Sequence, residues 1–265
     1  MKKFWFILTA LVATCFLVAC SGSQGVSPKT IKEKKKIVVA TESEFAPFEF
    51  KSLVNGKDTL VGADIELAKA IGKKLGVEVE FSVMSFDNVL ASVQSGKADI
   101  AIAGISVTDE RKKVYDFSDS YYTSENVVIV KKDKVNDYTS TDSLAKQTVG
   151  TQKGSVQETV AKKQISKASV VSLASNGEMI NELKSGQIQA VVLEKAIAEG
   201  YIAQNDDLTL ANFNLKSDGS DAYAVATRKG SDDLLKEINA VIKETKDSGQ
   251  FDQWLKEAST YKQSK

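Results

Sequence analysis

Arg111 is the side chain of this sequence best suited to hold a carboxylate. Its planar guanidinium can donate two parallel hydrogen bonds to one carboxylate group. Thr108 precedes it by three residues and is a typical helix N-cap, so backbone N–H groups without helical partners would lie nearby. The same arginine stands in the charged run 110–113, which is also typical of an exposed helix surface. These residue types therefore permit an anion site and do not by themselves require one.

A second candidate for anion binding lies where residues 154–156, Gly-Ser-Val, open a helix after a predicted strand. The first N–H groups of a helix have no intrahelical partners, so those near Ser155 and Val156 can add hydrogen bonds to a carboxylate. A plain strand-to-helix turn is the alternative interpretation. The fold has to bring this turn close to Arg111 if both are to hold one carboxylate.

The elements that must position these residues alternate between strand and helix, which predicts an α/β protein with largely parallel sheets. Asp64 is the predicted N-cap of a helix in which Leu67, Ile71 and Leu75 recur every four residues, and Gly76 ends it. The predicted strands are 37–41, 77–83, 99–102, 148–151, 169–173, 189–193 and 222–226. Further helices are predicted over 88–94, 156–163 and 176–184, from 196 onward, and around 234–242 and 254–255.

The second half of this pattern repeats the internal order of the first. The segment 95–102, Ser-Gly-Lys-Ala-Asp-Ile-Ala-Ile, is echoed by 185–192, Ser-Gly-Gln-Ile-Gln-Ala-Val-Val. Each places a glycine-ended helix before a buried strand. Two similar lobes would bring two sets of strand-end loops face to face, and α/β sheets bind ligands at such loops.

The predicted division of the chain is discontinuous. Lobe 1 is predicted from residues 37–124 plus 220–261, and lobe 2 from residues 125–219. The chain would then cross between the lobes twice, near 122–127 and near 217–223. Two such crossings make a natural hinge.

The first 19 residues have the pattern of an export signal. Two lysines are followed by the apolar stretch 4–18, which is shorter than the roughly 20 residues that span a bilayer. Residues 17–20, Leu-Val-Ala-Cys, resemble the lipobox of bacterial lipoproteins, which implies cleavage before Cys20 and acylation of its thiol. An ordinary secretory signal with an incidental cysteine is the alternative. Residues 20–36 would form a flexible tether on the extracytoplasmic face of the cell membrane, and the lysine-rich, cysteine-poor composition fits a Gram-positive surface.

Composition excludes several classes of function. Loss of residues 1–19 would remove two of the 35 basic side chains and none of the 35 acidic ones, which leaves a net charge near −2. Such a chain lacks the basic footprint of a nucleic-acid-binding protein. It contains no histidine, which excludes triads that use histidine as base and argues against a zinc site. We therefore predict no metal and no cofactor, and with Cys20 acylated no disulfide can form.

Four segments are similar, in order and spacing, to those of one bacterial family. They are 40–50 (Ala-Thr-Glu-Ser-Glu-Phe-Ala-Pro-Phe-Glu-Phe), 61–68 (Val-Gly-Ala-Asp-Ile-Glu-Leu-Ala), 103–111 (Ala-Gly-Ile-Ser-Val-Thr-Asp-Glu-Arg) with 116–118 (Asp-Phe-Ser), and 149–155 (Val-Gly-Thr-Gln-Lys-Gly-Ser). Together they resemble the substrate-binding components of bacterial polar amino acid ABC importers, the family 3 solute-binding proteins. The resemblance implies a two-lobed periplasmic-binding-protein-like fold of type II. Each lobe would be a sheet flanked by helices, with the ligand in the cleft between lobes.

The resemblance implies how the backbone of an amino acid would be held. Arg111 and the Ser155 and Val156 turn would bind the ligand carboxylate. The ligand ammonium would donate to three groups, namely the Glu194 carboxylate, the Gly104 carbonyl and the Ser106 hydroxyl. The family patterns mostly have aspartate where this chain has Glu194, so its reach is one methylene longer. An exposed acid at a helix start is the alternative role for that residue.

The resemblance also implies a pocket for the ligand side chain. Phe45 and Phe86 match aromatic positions that sandwich the ligand, where a cation over the ring faces gains about 0.5–2 kcal/mol. Glu42 matches an acidic position that meets the distal cation of basic amino acids, and Glu44 is a rival for that task. Gln152 could serve either a basic ligand or glutamine. Core packing is the alternative role of both rings.

The function implied is that of an extracytoplasmic substrate-binding lipoprotein of an amino acid ABC importer, which closes its lobes on the ligand. Arginine is favoured, with lysine, ornithine or histidine next, and glutamine is the alternative cargo. Expected partners are a permease with its ATPase and the membrane through the lipid, and the expected state is a monomer. A cyclic-acid dehydratase-like enzyme and an adhesin or sensor are the alternatives from other classes.

Overall fold

The structure is a computed structural model that describes residues 25–217 and 219–264. Two five-stranded sheets with flanking helices form two lobes, as predicted. We use lobe 1 for the part that contains the first sheet and lobe 2 for the part that contains the second. The predicted signal peptide and the predicted lipidation site Cys20 lie outside the described residues. Within the described ranges, none of the helices has the length and hydropathy needed to cross a bilayer.

Strands and helices alternate along the chain. The strands are β1 (Lys36–Thr41), β2 (Glu44–Phe45), β3 (Glu49–Val54), β4 (Lys57–Val61), β5 (Glu78–Val83), β6 (Ile100–Ala101), β7 (Tyr115–Phe117), β8 (Tyr122–Thr123), β9 (Asn126–Lys131), β10 (Thr148–Gln152), β11 (Ser169–Leu173), β12 (Ala190–Glu194), β13 (Leu208–Leu210), β14 (Ala222–Tyr223) and β15 (Ala226–Arg228). The helices are α1 (Pro28–Lys34), α2 (Ala63–Leu75), α3 (Phe86–Gln94), α4 (Asp109–Lys112), α5 (Val156–Gln164), α6 (Asn176–Ser185), α7 (Lys195–Gln204), α8 (Asp232–Asp247) and α9 (Gln250–Ala258). The predicted elements after β1 therefore exist with shifts of a few residues at their ends, except where noted below.

Both sheets are mixed, so the prediction of largely parallel sheets is correct for only part of each. The order in lobe 1 is β5-β1-β6-β15-β7, with β1 parallel to β5 and β6 and β15 antiparallel to β6 and β7. The order in lobe 2 is β11-β10-β12-β9-β13, with β10 parallel to β11 and β12 and β9 antiparallel to β12 and β13. β9 and β15 each follow a crossing between the lobes. They enter their sheets from the side at which the parallel strands end, and so run in the opposite direction.

The two crossings pair with each other as a short antiparallel ribbon. β8 and β14 align Tyr122 with Tyr223 and Thr123 with Ala222. The ribbon continues through the Ser124 backbone N–H, which donates to the Asp221 carbonyl at 2.8 Å. These residues lie within the segments predicted to cross. A two-stranded ribbon can bend without unpacking either lobe, which suits it to act as a hinge.

Strand 222–226 was predicted as continuous and is instead broken. β14 pairs with β8 in the ribbon, whereas β15 pairs with β6 and β7 in the lobe 1 sheet. Between them, the Ala224 N–H donates to the Ile105 carbonyl at 3.0 Å and the Val225 N–H donates to the Ser118 hydroxyl at 2.9 Å. The chain exchanges one pairing partner for another within two residues, which a local pattern of apolar residues does not reveal.

The core of lobe 1 follows the predicted helical period. Leu67, Ile71 and Leu75 of α2 are buried, and they share one apolar cluster with Leu234 and Ile238 of α8. Burial of each such side chain contributes about 1.5–3 kcal/mol. This packing fixes α2 against the sheet and thereby fixes the residues at its start, which lie beside the cleft.

The predicted N-cap of α2 is wrong by two residues. The cap position is Gly62, with φ +132°, and a Cβ there would lie 2.0 Å from the Phe48 carbonyl oxygen. Only glycine fits this turn, because the chain passes directly against another backbone. Asp64 lies inside the first turn and is buried, and its carboxylate accepts from the Gly104 N–H at 3.1 Å and the Tyr121 hydroxyl at 2.8 Å.

The flexible tether predicted through residue 36 does not extend that far. Residues 28–34 form α1 with a Ser27 capping box, and Val26 and Ile31 are buried. The Val26 N–H donates to the Ser231 hydroxyl at 2.7 Å. Two apolar side chains in a charged segment are enough to dock one short helix on lobe 1. The prediction of a tether is therefore wrong over residues 26–36.

A three-stranded antiparallel sheet, which the sequence patterns did not predict, adjoins the cleft. It has the order β2-β3-β4 and pairs Phe45 with Glu49. This sheet carries the segment 42–48, which contains Glu42 and the short strand β2, over the end of lobe 1. We call this segment the Phe45 loop.

Candidate functional site

The ends of four strands bring the predicted site residues to the boundary between the lobes. Glu42 follows β1, the Gly104 turn follows β6, Gln152 ends β10 and Glu194 ends β12. β1 runs parallel to β6 and β10 runs parallel to β12, so these ends lie at one edge of each sheet. Side-chain contacts described below join the two edges, and the lobes are therefore closed on each other.

Arg111 bridges the two lobes. Its position in α4 follows the N-cap Thr108, whose Oγ1 accepts from the Arg111 N–H at 3.1 Å, as predicted. Nη1 donates to the Ser106 carbonyl at 2.7 Å, and Nη2 donates to the Gly154 carbonyl of lobe 2 at 3.1 Å. The guanidinium carbon lies 5.9 Å from the centroid of the Phe86 ring. Burial lowers the pKa of Arg111 to about 10, which leaves the group charged at neutral pH.

The start of α5 lies beside this guanidinium, because the carbonyl that accepts from Nη2 belongs to Gly154. Ser155 is the N-cap of α5, donates to the Gln152 carbonyl at 2.7 Å and accepts from the Glu158 N–H at 3.4 Å. Val156 is the first helical residue. The fold thus brings the two predicted carboxylate-binding elements together from opposite lobes.

Glu42 is a buried carboxylate with one oxygen unpaired. Its Oε2 accepts from Gln152 Nε2 across the cleft at 2.9 Å, whereas Oε1 has no hydrogen-bond partner among the described residues. Burial raises the pKa of Glu42 to about 8, with smaller contributions from Glu44 and Glu194, and the bond from Gln152 opposes the rise. A buried oxygen in this position favours a donor or a cation as its partner.

The carboxylate and the backbone carbonyl of Glu44 have different partners, which lie in lobe 2. Its Oε2 accepts from the Gly177 N–H at the start of α6 at 2.9 Å. Its backbone carbonyl accepts from Asn176 Nδ2 at 3.4 Å and from the Tyr201 hydroxyl at 3.3 Å. These contacts hold the lobes together and occupy the Glu44 carboxylate, so the geometry favours Glu42 over its rival as the acid that meets a ligand cation.

Glu194 is buried, with 6% of its surface exposed, which contradicts the alternative of an exposed acid at a helix start. Its Oε1 accepts from Gln157 Nε2 at 2.7 Å, and the same nitrogen donates to Asn126 Oδ1 at 2.7 Å. Burial raises the pKa of Glu194 to about 7, against hydrogen bonds from its own backbone and Gln157 and against the charge of Arg111. Its protonation therefore changes near physiological pH.

Both predicted aromatic side chains are largely buried at the cleft. The Phe45 ring lies on the backbone of Gly104, where a Cβ would meet a ring carbon at 2.5 Å, and Gly104 has φ +54°. Phe45 also lies 5.7 Å, between ring centroids, from Phe48. Phe86 begins α3 and faces Arg111. The predicted contact of these rings with a ligand stays a prediction, as does their alternative role in core packing.

The structure adds residues that sequence reasoning missed. Gln157 and Asn126 fix Glu194, and an ion pair of Lys153 with Asp87 at 2.8 Å joins the lobes. Gln157 stands in the first turn after the N-cap Ser155, and that position is the only local signal that it approaches the cleft. Exposed ion pairs contribute little to stability, about 0–1 kcal/mol, so the Lys153 pair biases closure only weakly.

A separate groove of about 970 Å³ lies outside the cleft, between α6, α7 and the C-terminal segment. Of the predicted candidates it includes only the rival acid Glu44. The convergence of strand ends, buried acids and Arg111 makes the cleft the better candidate site. Within the described ranges, no three or more acidic or cysteine side chains are grouped to hold a metal ion.

The buried acids predict how stability depends on pH. The carboxyl pKa values of about 8 for Glu42 and about 7 for Glu194 lie above the ordinary value of 4.5. Between pH 4.5 and 8 the folded protein therefore binds more protons than the unfolded chain does. The free energy of unfolding of the ligand-free protein should therefore fall as pH rises through this window. Urea unfolding at pH 5.5, 6.5, 7.5 and 8.5 measures it, and Glu42→Gln should flatten the upper part. A stability that rises over this window would contradict the assignment.

Comparison with known proteins agrees with this geometry. A family model for bacterial extracellular solute-binding proteins, family 3, matches residues 37–258. The arginine-binding extracellular protein ArtP of Bacillus subtilis (strain 168) is 35% identical over 261 residues, which cover 97% of each chain. The ABC transporter glutamine-binding protein GlnH of the same organism is 33% identical over 277 residues, which cover 97% of this chain and 98% of that protein.

Two solved structures extend the comparison. One is the amino acid ABC transporter substrate-binding protein AbpA from Streptococcus pneumoniae Canada MDR_19A bound to L-arginine, with TM-score 0.85 and 52% identity over 87% of this chain and 97% of that chain. The other is the ancestral amino acid-binding protein AncCDT-1, a precursor of cyclohexadienyl dehydratase, with TM-score 0.79 and 33% identity over 88% of this chain and 99% of that chain. With its two lobes, its cleft and this family match, the chain belongs to the bacterial extracellular solute-binding proteins of family 3.

Proposed function

We propose that this protein is the substrate-binding component of an amino acid ABC importer and that its cargo is a basic amino acid, arginine first. The observation that carries the proposal is the buried Glu42, whose Oε1 has no partner within the described part of the chain. A cationic side chain of the ligand would supply that partner. An ion buried in a closed cleft needs such pairing, because an unpaired charge costs several kcal/mol.

The charges around the cleft support a cationic ligand. Glu42 and Glu194 are both buried there, and burial raises the pKa of each. The positive charge of Arg111 acts on Glu194, and in this proposal Arg111 binds the ligand carboxylate. An amino acid with a second positive charge would therefore neutralise two acids, one with its ammonium and one with its side chain. Glutamine would leave one of them without a charged partner.

The relatives agree with this choice of cargo and define its rival. ArtP and AbpA are described as arginine-binding or arginine-bound, which supports arginine here. GlnH is described as glutamine-binding, and Gln152 could pair with an amide as well as with a cation. Glutamine is therefore the alternative cargo, and lysine, ornithine and histidine follow arginine among the basic ones.

The proposed mechanism is closure on the ligand. The amino acid docks on lobe 1 through Arg111, Ser106, Glu42 and Phe45. Closure about the β8–β14 ribbon then adds Glu194 and the α5 start from lobe 2. Contacts that form only on closure shift the equilibrium towards the closed form, and in this proposal the permease recognises that form. A monomer is sufficient for this cycle, since both halves of the site come from one chain.

The proposed location follows from the N-terminal pattern and the family. Cleavage before Cys20 and acylation of its thiol would retain the protein on the extracytoplasmic face of the membrane, near the permease and its ATPase. Mass spectrometry of the mature N-terminus tests this step. A diacylated Cys20 is the expected result. An unmodified N-terminus would contradict the lipid anchor and indicate an ordinary secreted protein.

A panel of ligands tests the cargo. The mature protein is unfolded, stripped of ligand and refolded, and each of the twenty amino acids and ornithine is titrated in a calorimeter. Arginine should bind most tightly, because it satisfies both acids and the aromatic faces. Tight binding of glutamine without binding of arginine would support the proposed class of function but contradict arginine as the cargo. Absence of binding by every amino acid would overturn the proposal.

Two assays separate the rival classes. Turnover of a cyclic acid with release of water would favour an enzyme related to the dehydratases, although the carboxylate and ammonium complements are explained by binding alone. Unchanged arginine uptake in a strain that lacks the gene would favour an adhesin or sensor. Loss of uptake is the expected result.

A further inference from the structure

Two buried carboxyl groups lie directly beneath the cleft and take no part in the mechanism above. Glu49 of β3 is fully buried, and both of its carboxyl oxygens lack a hydrogen-bond donor among the described residues. Asp64 of α2 is 1% exposed, and its Oδ1 also lacks a donor. The two residues are neighbours, because the Asp64 N–H donates at 2.9 Å to the carbonyl of Phe48, the residue before Glu49, and the nearby Asp64 carboxylate contributes to a raised pKa of Glu49. Two carboxylates cannot donate to each other, so their unpartnered oxygens can form a hydrogen bond only if one of the groups carries a proton.

The surroundings decide which group holds the proton. Asp64 Oδ2 already accepts from the Gly104 N–H at 3.1 Å and the Tyr121 hydroxyl at 2.8 Å, and both bonds favour its ionised form. Glu49 has no such donor within the described residues. The acids whose charges act on Glu49 are Asp64, Glu42 and Glu194, and the phenols of Tyr121 and Tyr223 also interact electrostatically with it. Burial and these negative neighbours raise the pKa of Glu49 far above its ordinary value.

The pair joins two walls of the candidate site. Asp64 holds the Gly104 N–H, and therefore the turn whose Ser106 carbonyl accepts from Arg111. Glu49 is the direct strand partner of Phe45, whose ring lies on Gly104. A hydrogen bond from Glu49 to Asp64 would tie the Phe45 loop to the Gly104 turn. Two ionised groups in the same place would repel each other and separate these walls.

We propose that Glu49 is a protonated positioning residue, which donates to the Asp64 carboxylate and so sets the Phe45 loop against the Gly104 turn for amino acid binding. Its effect on affinity rests on the proposed function, whereas the location of the proton does not.

Glu49→Gln is the matched replacement, because a neutral amide keeps the shape and can still donate to Asp64. We expect its affinity for arginine to stay within about threefold of the wild type, which is about 0.7 kcal/mol because a tenfold change equals about 1.4 kcal/mol. Glu49→Met keeps the approximate volume and removes the donor, so the buried Asp64 carboxylate loses one proposed hydrogen bond. This variant should bind at least tenfold more weakly. Equal losses in both variants would overturn the proposal, because they would mean that the ionised carboxylate is required.

Infrared spectroscopy locates the proton and keeps the test decisive if Glu49→Met does not fold. The protein saturated with arginine at pH 7.5 should show a protonated carboxyl C=O band that is missing in Glu49→Gln and present in the surface variant Glu66→Gln. The same comparison in a Glu42→Gln background removes any band from Glu42. A band unaffected by Glu49→Gln would overturn the proposal. If no amino acid binds, the proposed function fails, but the ligand-free spectra still decide whether Glu49 is protonated.

Discussion

Arg111→Lys should weaken arginine binding about a hundredfold and Arg111→Ala about a thousandfold, since loss of one partner of a buried charged pair costs about 2–5 kcal/mol. Arg111 presents two donors at the boundary of the lobes, now bonded to the Ser106 and Gly154 carbonyls. A lysine keeps the charge but cannot form the two parallel bonds that a carboxylate accepts from a guanidinium. Calorimetric titration of the refolded variants with arginine measures the effect.

Arg228 provides the matched control, because it is the other arginine of the chain. Its Nη1 donates to the Val93 and Ala98 carbonyls at 3.1 and 3.2 Å, beside the start of β6 and so at the edge of the sheet away from the cleft. Arg228→Lys should lower the free energy of unfolding by about 1 kcal/mol and leave arginine affinity unchanged. If Arg111→Lys binds arginine as tightly as the wild type does, the proposed contact of Arg111 with the ligand carboxylate is wrong.

Glu42→Gln should lower arginine affinity about a hundredfold at pH 8 and leave glutamine affinity nearly unchanged, so that the preference between the two ligands narrows or reverses. The replacement keeps the shape of the side chain and its bond with Gln152. It removes the charge that a guanidinium would meet at the unpaired Oε1. Titration of both ligands into both proteins gives the change in preference directly.

The pH profile distinguishes this role from a general loss of structure. Because the pKa of Glu42 is about 8 in the ligand-free protein, a cation has to displace its proton, and wild-type arginine affinity should rise from pH 6 to about pH 8 and then level off. Glu42→Gln should lose most of that rise. Glu66→Gln, which changes a half-buried glutamate of α2 paired with Lys69 at 2.7 Å, should behave like the wild type. An unchanged profile in Glu42→Gln would assign the proton to another group, with Glu194 the next candidate.

The closed arrangement explains why single changes in the cleft should have large effects. In the proposed mechanism both lobes contribute residues to the site. The bond between Glu42 and Gln152, and that between Arg111 and Gly154, exist only when the lobes meet. A ligand that reinforces such contacts shifts the equilibrium by its preference for the closed form alone. A variant that weakens one half of the site therefore weakens closure as well as docking.

Local patterns were sufficient for most elements of the fold. The period of Leu67, Ile71 and Leu75 gave the buried face of α2, and the N-caps Thr108 and Ser155 gave the starts of α4 and α5. Such signals depend on residues within one or two helical turns, so a sequence displays them directly. They failed at Asp64, because the cap is decided by the approach of the Phe48 backbone to Gly62, which the sequence does not display.

The sequence by itself determined the α/β class, the alternation of elements and, through its resemblance to one family, which side chains to consider in the cleft. Only the tertiary structure decided that Glu44 bonds to lobe 2, that Gln157 holds Glu194, and that Glu49 is buried without a donor among the described residues. These outcomes depend on contacts between residues far apart in the chain and on removal of carboxylates from water. Burial changes the protonation of an acid by amounts that its residue type alone does not contain, so the chemistry of this cleft is set by packing.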